Sequence, residues 1–104
     1  MAMDPVLSMI GLSAKAGKVK SGEFAVEQAV KGGKAYMVIV AEDASENSKK
    51  AYQNMCDFYE VPIFFYGDKE TLGTSCGKEF RASVAIMDEN LAKAVADKLS
   101  ASGR

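Results

Sequence analysis

Histidine and tryptophan are absent from this chain of 104 residues, and cysteine and proline occur twice each. Without histidine, the commonest general base is missing, and so are the serine and cysteine triads built on it. A lysine or carboxylate can act as a base instead, but nothing along the chain assembles such a group. A structural zinc site needs about four thiolate or imidazole ligands. Cys56 and Cys76 supply two, in separate predicted helices and without a C-x-x-C spacing. They read as reduced thiols of a cytosolic protein, packed as small apolar groups. Neither G-x-G-x-x-G nor G-x-x-x-x-G-K-[ST] occurs, which argues against a nucleotide loop. No enzyme activity, metal or cofactor is expected.

An excess of positive charge is also missing. Thirteen Lys and Arg stand against 14 Asp and Glu, a net charge of −1. Phosphate affinity rests on surplus cations, so general coating of nucleic acid is excluded while a local basic patch is not. No apolar run approaches the roughly 20 residues of a membrane span. The short apolar patch 6–12 follows Asp4 and no lysine, the wrong charge order for a secretory signal.

The balance is that of a globular domain, 48% hydrophobic and 26% charged. The length suits a single domain, 1–104, able to bury a core without disulfides or metal. Asp4-Pro5 opens a first helix, with Leu7, Ile10, Leu12 and Ala14 on its apolar side and Gly17 at its end. Val19 suits a one- or two-residue strand. Ser21 is the expected cap of a second helix, with Phe24, Val26, Ala29 and Val30 inward and Gly32-Gly33 as its stop. Residues 35–41 (AYMVIVA) read as a strand covered on both faces. Ser45 caps a third helix to Tyr59, with Ala51, Met55, Phe58 and Tyr59 inward. Residues 61–66 and 82–87 read as strands, with a short helix 69–76 between them. Asp88 caps a last helix 89–99 with Leu91, Val95 and Leu99 inward, and the tail 100–104 reads as frayed. Alternating helix and strand imply a mixed or parallel sheet between two helical layers.

Residues 14–34 (AKAGKVKSGEFAVEQAVKGGK) form the densest basic run. Lys15, Lys18, Lys20, Lys31 and Lys34 are opposed there only by Glu23 and Glu27. A glycine-broken basic loop entering a helix offers backbone N–H groups and a positive dipole end to phosphate. A lysine-solvated loop before an ordinary amphipathic helix stays open as the alternative. Lys78, Phe80 and Arg81 enter the last strand together, and a ring beside a guanidinium suits a splayed base and a phosphate. A core Phe and a solvated Arg would leave the same pattern. Glu42-Asp43 follows a buried strand, where α/β proteins place function, but serves equally as N-terminal charge for the helix after Ser45.

Four stretches then resemble a known family: LSAKAGKVKSG (12–22), GKAYMVIVAEDAS (33–45), NMCDFYEVP (54–62) and LGTSCGKEFRASVAIMD (72–88). Together they are similar to the ribosomal seven-Ae/thirty-e superfamily of kink-turn RNA binders, in its bacterial YlxQ-like branch. The resemblance implies a three-layer α/β/α sandwich with a four-stranded mixed central sheet. It also implies a sharply bent RNA internal loop as partner, with the second helix entering by its N-terminus and two loops closing over the bend. The implied site residues are Gly22 and Glu23, Glu42 and Asp43, and Phe80, Arg81 and Ala82, beside the basic run at Lys15, Lys18 and Lys20. Phe24, Ala25 and Gln28 depart from the family, which commonly has a polar pair and a lysine there. That change removes base-edge hydrogen bonds and a phosphate contact. The expected function is non-catalytic RNA binding linked to the ribosome or translation. The alternative is a protein-interaction module of the same fold.

Overall fold

The computed structural model describes residues 4–101. Elements alternate as α1 (Pro5–Lys15), β1 (Val19–Ser21), α2 (Glu23–Lys31), β2 (Met37–Val40), α3 (Glu46–Tyr59), β3 (Ile63–Phe65), α4 (Lys69–Ser75), β4 (Ser83–Ile86) and α5 (Glu89–Ala101). The four strands form one sheet in the order β1-β4-β2-β3. β4 runs antiparallel to both β1 and β2, and β2 runs parallel to β3. The sheet is therefore mixed, as expected.

β2 and β4 are buried along their whole length, because side chains alternate between two covered faces. Met37, Ile39, Val84 and Ile86 meet Val6, Ile10, Leu72, Val95 and Leu99 from α1, α4 and α5. Val38, Val40 and Ala85 meet Val26, Ala29, Val30, Tyr52 and Cys56 from α2 and α3. These two apolar clusters make the three layers. No helix among the described residues is long and apolar enough to cross a membrane.

Several sequence expectations need correction. Ser21 does not cap α2; it pairs with Val84 in the β1–β4 ladder, and Gly22 takes the cap position. Leu12 and Phe24 point outward, 58% and 73% exposed. On α3 the inner face is Tyr52 and Cys56, while Ala51, Phe58 and Tyr59 are exposed and Met55 is half-buried. Tyr52 is held inside because its hydroxyl accepts a hydrogen bond from Ser83 Oγ at 2.8 Å. That pairing meets the polar cost of burying a phenol. On α5, Ala92 joins Val95 and Leu99 in the core, and Leu91 is half-buried. Ser100 and Ala101 continue α5, and the rest of the expected tail lies outside the described residues.

Candidate nucleic-acid interface

The strand directions bring distant parts of the chain to one end of the sheet. Because β4 opposes β1 and β2, Ser21 pairs with Val84 and Val40 with Ser83. The ends of β1 and β2 therefore lie beside the start of β4. Three backbone bonds fix this junction. Gly22 N–H donates to Ser83 O at 3.0 Å, Ala41 N–H to Ala82 O at 2.8 Å, and Glu42 N–H to Gly67 O at 2.8 Å.

At this junction α2 begins without a side-chain cap. Gly22 has φ 94 and ψ 158, a backbone region that L side chains rarely enter. Val26 N–H closes the first turn onto Gly22 O at 3.0 Å. The amides of Glu23, Phe24 and Ala25 precede that bond and have no intrahelical acceptor. The positive end of the helix dipole adds to their field. Glu23, exposed at the first position, is the one acid in that turn.

Arg81 crosses this helix start. Its Nε donates to Ser21 Oγ at 3.1 Å, and its Nη1 donates to its neighbour's carbonyl, Phe80 O, at 2.7 Å. A Cβ at position 22 would stand 3.7 Å from Arg81 Cδ, so glycine serves the dihedral there rather than the space. Guanidinium has five N–H donors, and these bonds use two. The ion pairs among the described residues are Lys31–Glu27 and Lys49–Glu46, so none of their carboxylates pairs directly with Arg81.

The loop 77–82 that presents Phe80 and Arg81 is pinned to α4. Arg81 N–H donates to Lys69 O at 3.0 Å, and Lys78 N–H to Gly73 O at 2.8 Å. Gly73 lets the loop lie against the helix: a Cβ there would fall 2.4 Å from Glu79 O. Asp68 caps α4 through a reciprocal bond pair with Thr71, and those bonds hold its carboxyl below the usual range. Asp43 Oδ1 accepts from Lys69 N–H at 3.0 Å, so this carboxylate serves α4 rather than α3.

Gly22, Glu23, Glu42, Asp43, Phe80, Arg81 and Ala82 thus gather at one end of the sheet. Lys20 is exposed in mid-β1 beside them, opposite Ala85. Lys18 and Lys15 are elsewhere. Lys18 O accepts from Met87 N–H at 2.7 Å, at the far end of β4. Lys15 closes α1 and lines a shallow groove of about 810 Å3 between α1 and α4, with Leu7, Gly11, Leu12, Thr74 and Cys76. That groove is mainly apolar. Sequence reading missed Ser21 as the anchor of Arg81 and Gly73 as the seat of the loop. The only signal for Gly73 was a glycine inside a helix pattern.

Burial pushes the Cys56 thiol up to about 11, leaving it protonated at neutral pH. Burial raises Cys76 as well. Among the described residues, no group of three or more His, Cys, Asp or Glu side chains is placed to hold a metal.

Comparison with known proteins gives the family and the fold. Residues 4–96 match the model of the Ribosomal protein L7Ae/L30e/S12e/Gadd45 family. The RNA-binding protein YlxQ of Bacillus subtilis is 38% identical over 84 residues, 81% of this chain and 84% of that protein. The large ribosomal subunit protein eL8 of Picrophilus torridus is 34% identical over 84 residues, covering 80% and 66%. A Bacillus halodurans protein of unknown function superposes with a TM-score of 0.90 at 30% identity, over 94% of this chain and 99% of that one. The Giardia lamblia 15.5kD RNA binding protein gives 0.77 at 25% identity, over 93% and 83%. With its α/β/α layers and nearly full-length match, the chain belongs to the Ribosomal protein L7Ae/L30e/S12e/Gadd45 family.

Proposed function

We propose that this protein binds structured RNA without catalysis, at a sharply bent internal loop of the kink-turn kind, on the ribosome or elsewhere in translation. The observation that carries the reading is Arg81, whose guanidinium has no direct carboxylate partner among the described residues and is held across the uncapped start of α2. RNA backbone is the anion that suits such a place, since bent loops present closely spaced phosphates to amides and arginine. Arg81 and the α2 amides hold phosphates. Phe80, 62% exposed, supports an unstacked base. The family and the RNA-binding names of two relatives favour RNA over a protein partner.

Titration of a synthetic kink-turn RNA, against a straight duplex of equal length at several salt concentrations, tests this. Preference for the bent RNA is expected. Arg81→Ala should weaken binding about tenfold or more and lower the salt slope by about one. Equal affinity for the duplex and the kink-turn would remove the proposal.

A further inference from the structure

We propose that Phe24 is a base-stacking, specificity-setting residue. With Phe80, it takes an unpaired nucleobase by its face, so the site selects RNA for an extruded base with little regard to which base it is. This inference rests on the RNA-binding reading above.

Phe24 is the second residue of α2 and is 73% exposed. The core has no use for it, because Val26, Ala29 and Val30 already form the buried face of the helix. Phe80 is also largely exposed and directly precedes Arg81, whose side chain lies against Gly22. Both rings are therefore tied by one or two residues to the same guanidinium-covered turn. Arg81 supplies the charge that an anionic strand needs and an apolar protein patch does not.

Few side chains around Phe24 can read a base edge. Ala25 follows it with no polar group, and Gln28, whose amide can donate and accept, stands a full turn further along the helix. Base identity is read by hydrogen bonds to edges, whereas every base has a face that stacks on an aromatic ring. At positions 24 and 25 the first turn therefore offers a ring for a base face and no group for a base edge. Phe58 is exposed to a similar degree but differs in setting. Its ring packs edge-on against Tyr59 at 4.9 Å, at the C-terminal end of α3, and Arg81 lies at the other end of the sheet.

The test uses the full chain and a synthetic kink-turn RNA with 2-aminopurine at its unpaired nucleotides. Wild type, Phe24→Ala, Phe24→Leu and Phe24→Tyr are titrated against this RNA, against abasic versions and against versions with each unpaired base exchanged. Phe24 is exposed, so circular dichroism melts of the variants should match wild type. Expected are a roughly tenfold loss for Phe24→Ala and Phe24→Leu, retention by Phe24→Tyr, and little response to base exchange. An abasic substitution at one nucleotide should cost wild type and not Phe24→Ala, with 2-aminopurine quenched only when the ring is present.

Wild-type binding with no loss in Phe24→Ala overturns the inference and leaves the RNA reading standing. That holds also if Phe24→Ala instead loses a protein partner captured after ribonuclease treatment. A strong response to base exchange overturns it too. Failure of wild type to prefer the kink-turn overturns the RNA reading, and this inference with it.

Discussion

The amino ends of α2 and α3 lie in the same helical layer of the sandwich and are built differently. At α3, Ser45 Oγ accepts from Ser48 N–H at 3.1 Å, and Glu46 in the first turn complements the dipole. Asp4 and Asp68 close α1 and α4 in the same way, and Asp88 Oδ2 accepts from Leu91 N–H at the start of α5. At α2 a glycine stands in the cap position and no side chain closes the turn. A serine or aspartate cap contributes about 1 kcal/mol over alanine but only roughly a few tenths over glycine, so α2 leaves its first amides open at little cost in stability. It does so at the point where the chain also places Arg81, which has no direct carboxylate partner among the described residues. The contrast separates helix ends that finish the fold from one that stays available to a ligand.

The comparison breaks most severely at Gly73. The open end of α2 is useful only while the loop 77–82 lies beside it, and Gly73 gives that loop its seat. Gly73→Ala forces a methyl to within 2.4 Å of Glu79 O, a backbone atom with no flexible end to yield. Overpacking of this kind is expected to cost about 3 kcal/mol, lowering Tm by roughly 10 °C or more for a chain of this size. Affinity for kink-turn RNA should fall as well, because Phe80 and Arg81 move. An unchanged melt by circular dichroism would show that the loop is not held by this contact.

Ser45→Ala sharpens the contrast from the other side. Loss of the α3 cap should reduce stability by about 1 kcal/mol in a denaturant titration and leave RNA affinity unchanged. If the variant loses as much affinity as Arg81→Ala, α3 belongs to the interface and the division between closed and open ends fails.

The layers and most element positions were legible because apolar periodicity and caps are local signals. The run 35–41 sits between glycine and acid and 82–87 ends at Asp88, and the strands formed within them. What the pattern misread was the direction of aromatic side chains. Phe24 and Phe58 look like core residues on any hydrophobic scale, yet both are exposed. Tyr52 looks like a surface residue and is buried by a hydroxyl pair with Ser83, 31 positions away. The same limit hid the Ser21–Arg81 contact, whose partners stand 60 positions apart. Local composition cannot encode such pairs; the antiparallel register of β1, β4 and β2 creates them. Phe80 and Arg81 were named from the ring beside a guanidinium and again through the family resemblance, Gly22 through the resemblance, and Lys15 and Lys18 through charge density along the chain. The latter is the weaker guide, because adjacency in sequence does not survive the passage through an edge strand.

That passage yields the smallest and most discriminating expectation. Along β1 each residue advances about 3.3 Å, so Lys18 stands roughly 13 Å of strand from Gly22, and Lys20 about half that. Screening over about 8 Å at physiological ionic strength should therefore mute Lys18 more than Lys20. Lys20→Glu is expected to weaken kink-turn binding a few-fold, and Lys18→Glu by less, with the gap closing as salt is lowered. The sequence alone implies a loss of about one from the salt slope for Lys18→Glu; the geometry assigns that loss to Lys20. Titrations of both variants from low to physiological salt separate the two. Should Lys18→Glu cost as much as Lys20→Glu throughout, the RNA must run along the whole β1 edge to Met87. The interface would then be a strip down the side of the sheet, not a cluster at its end.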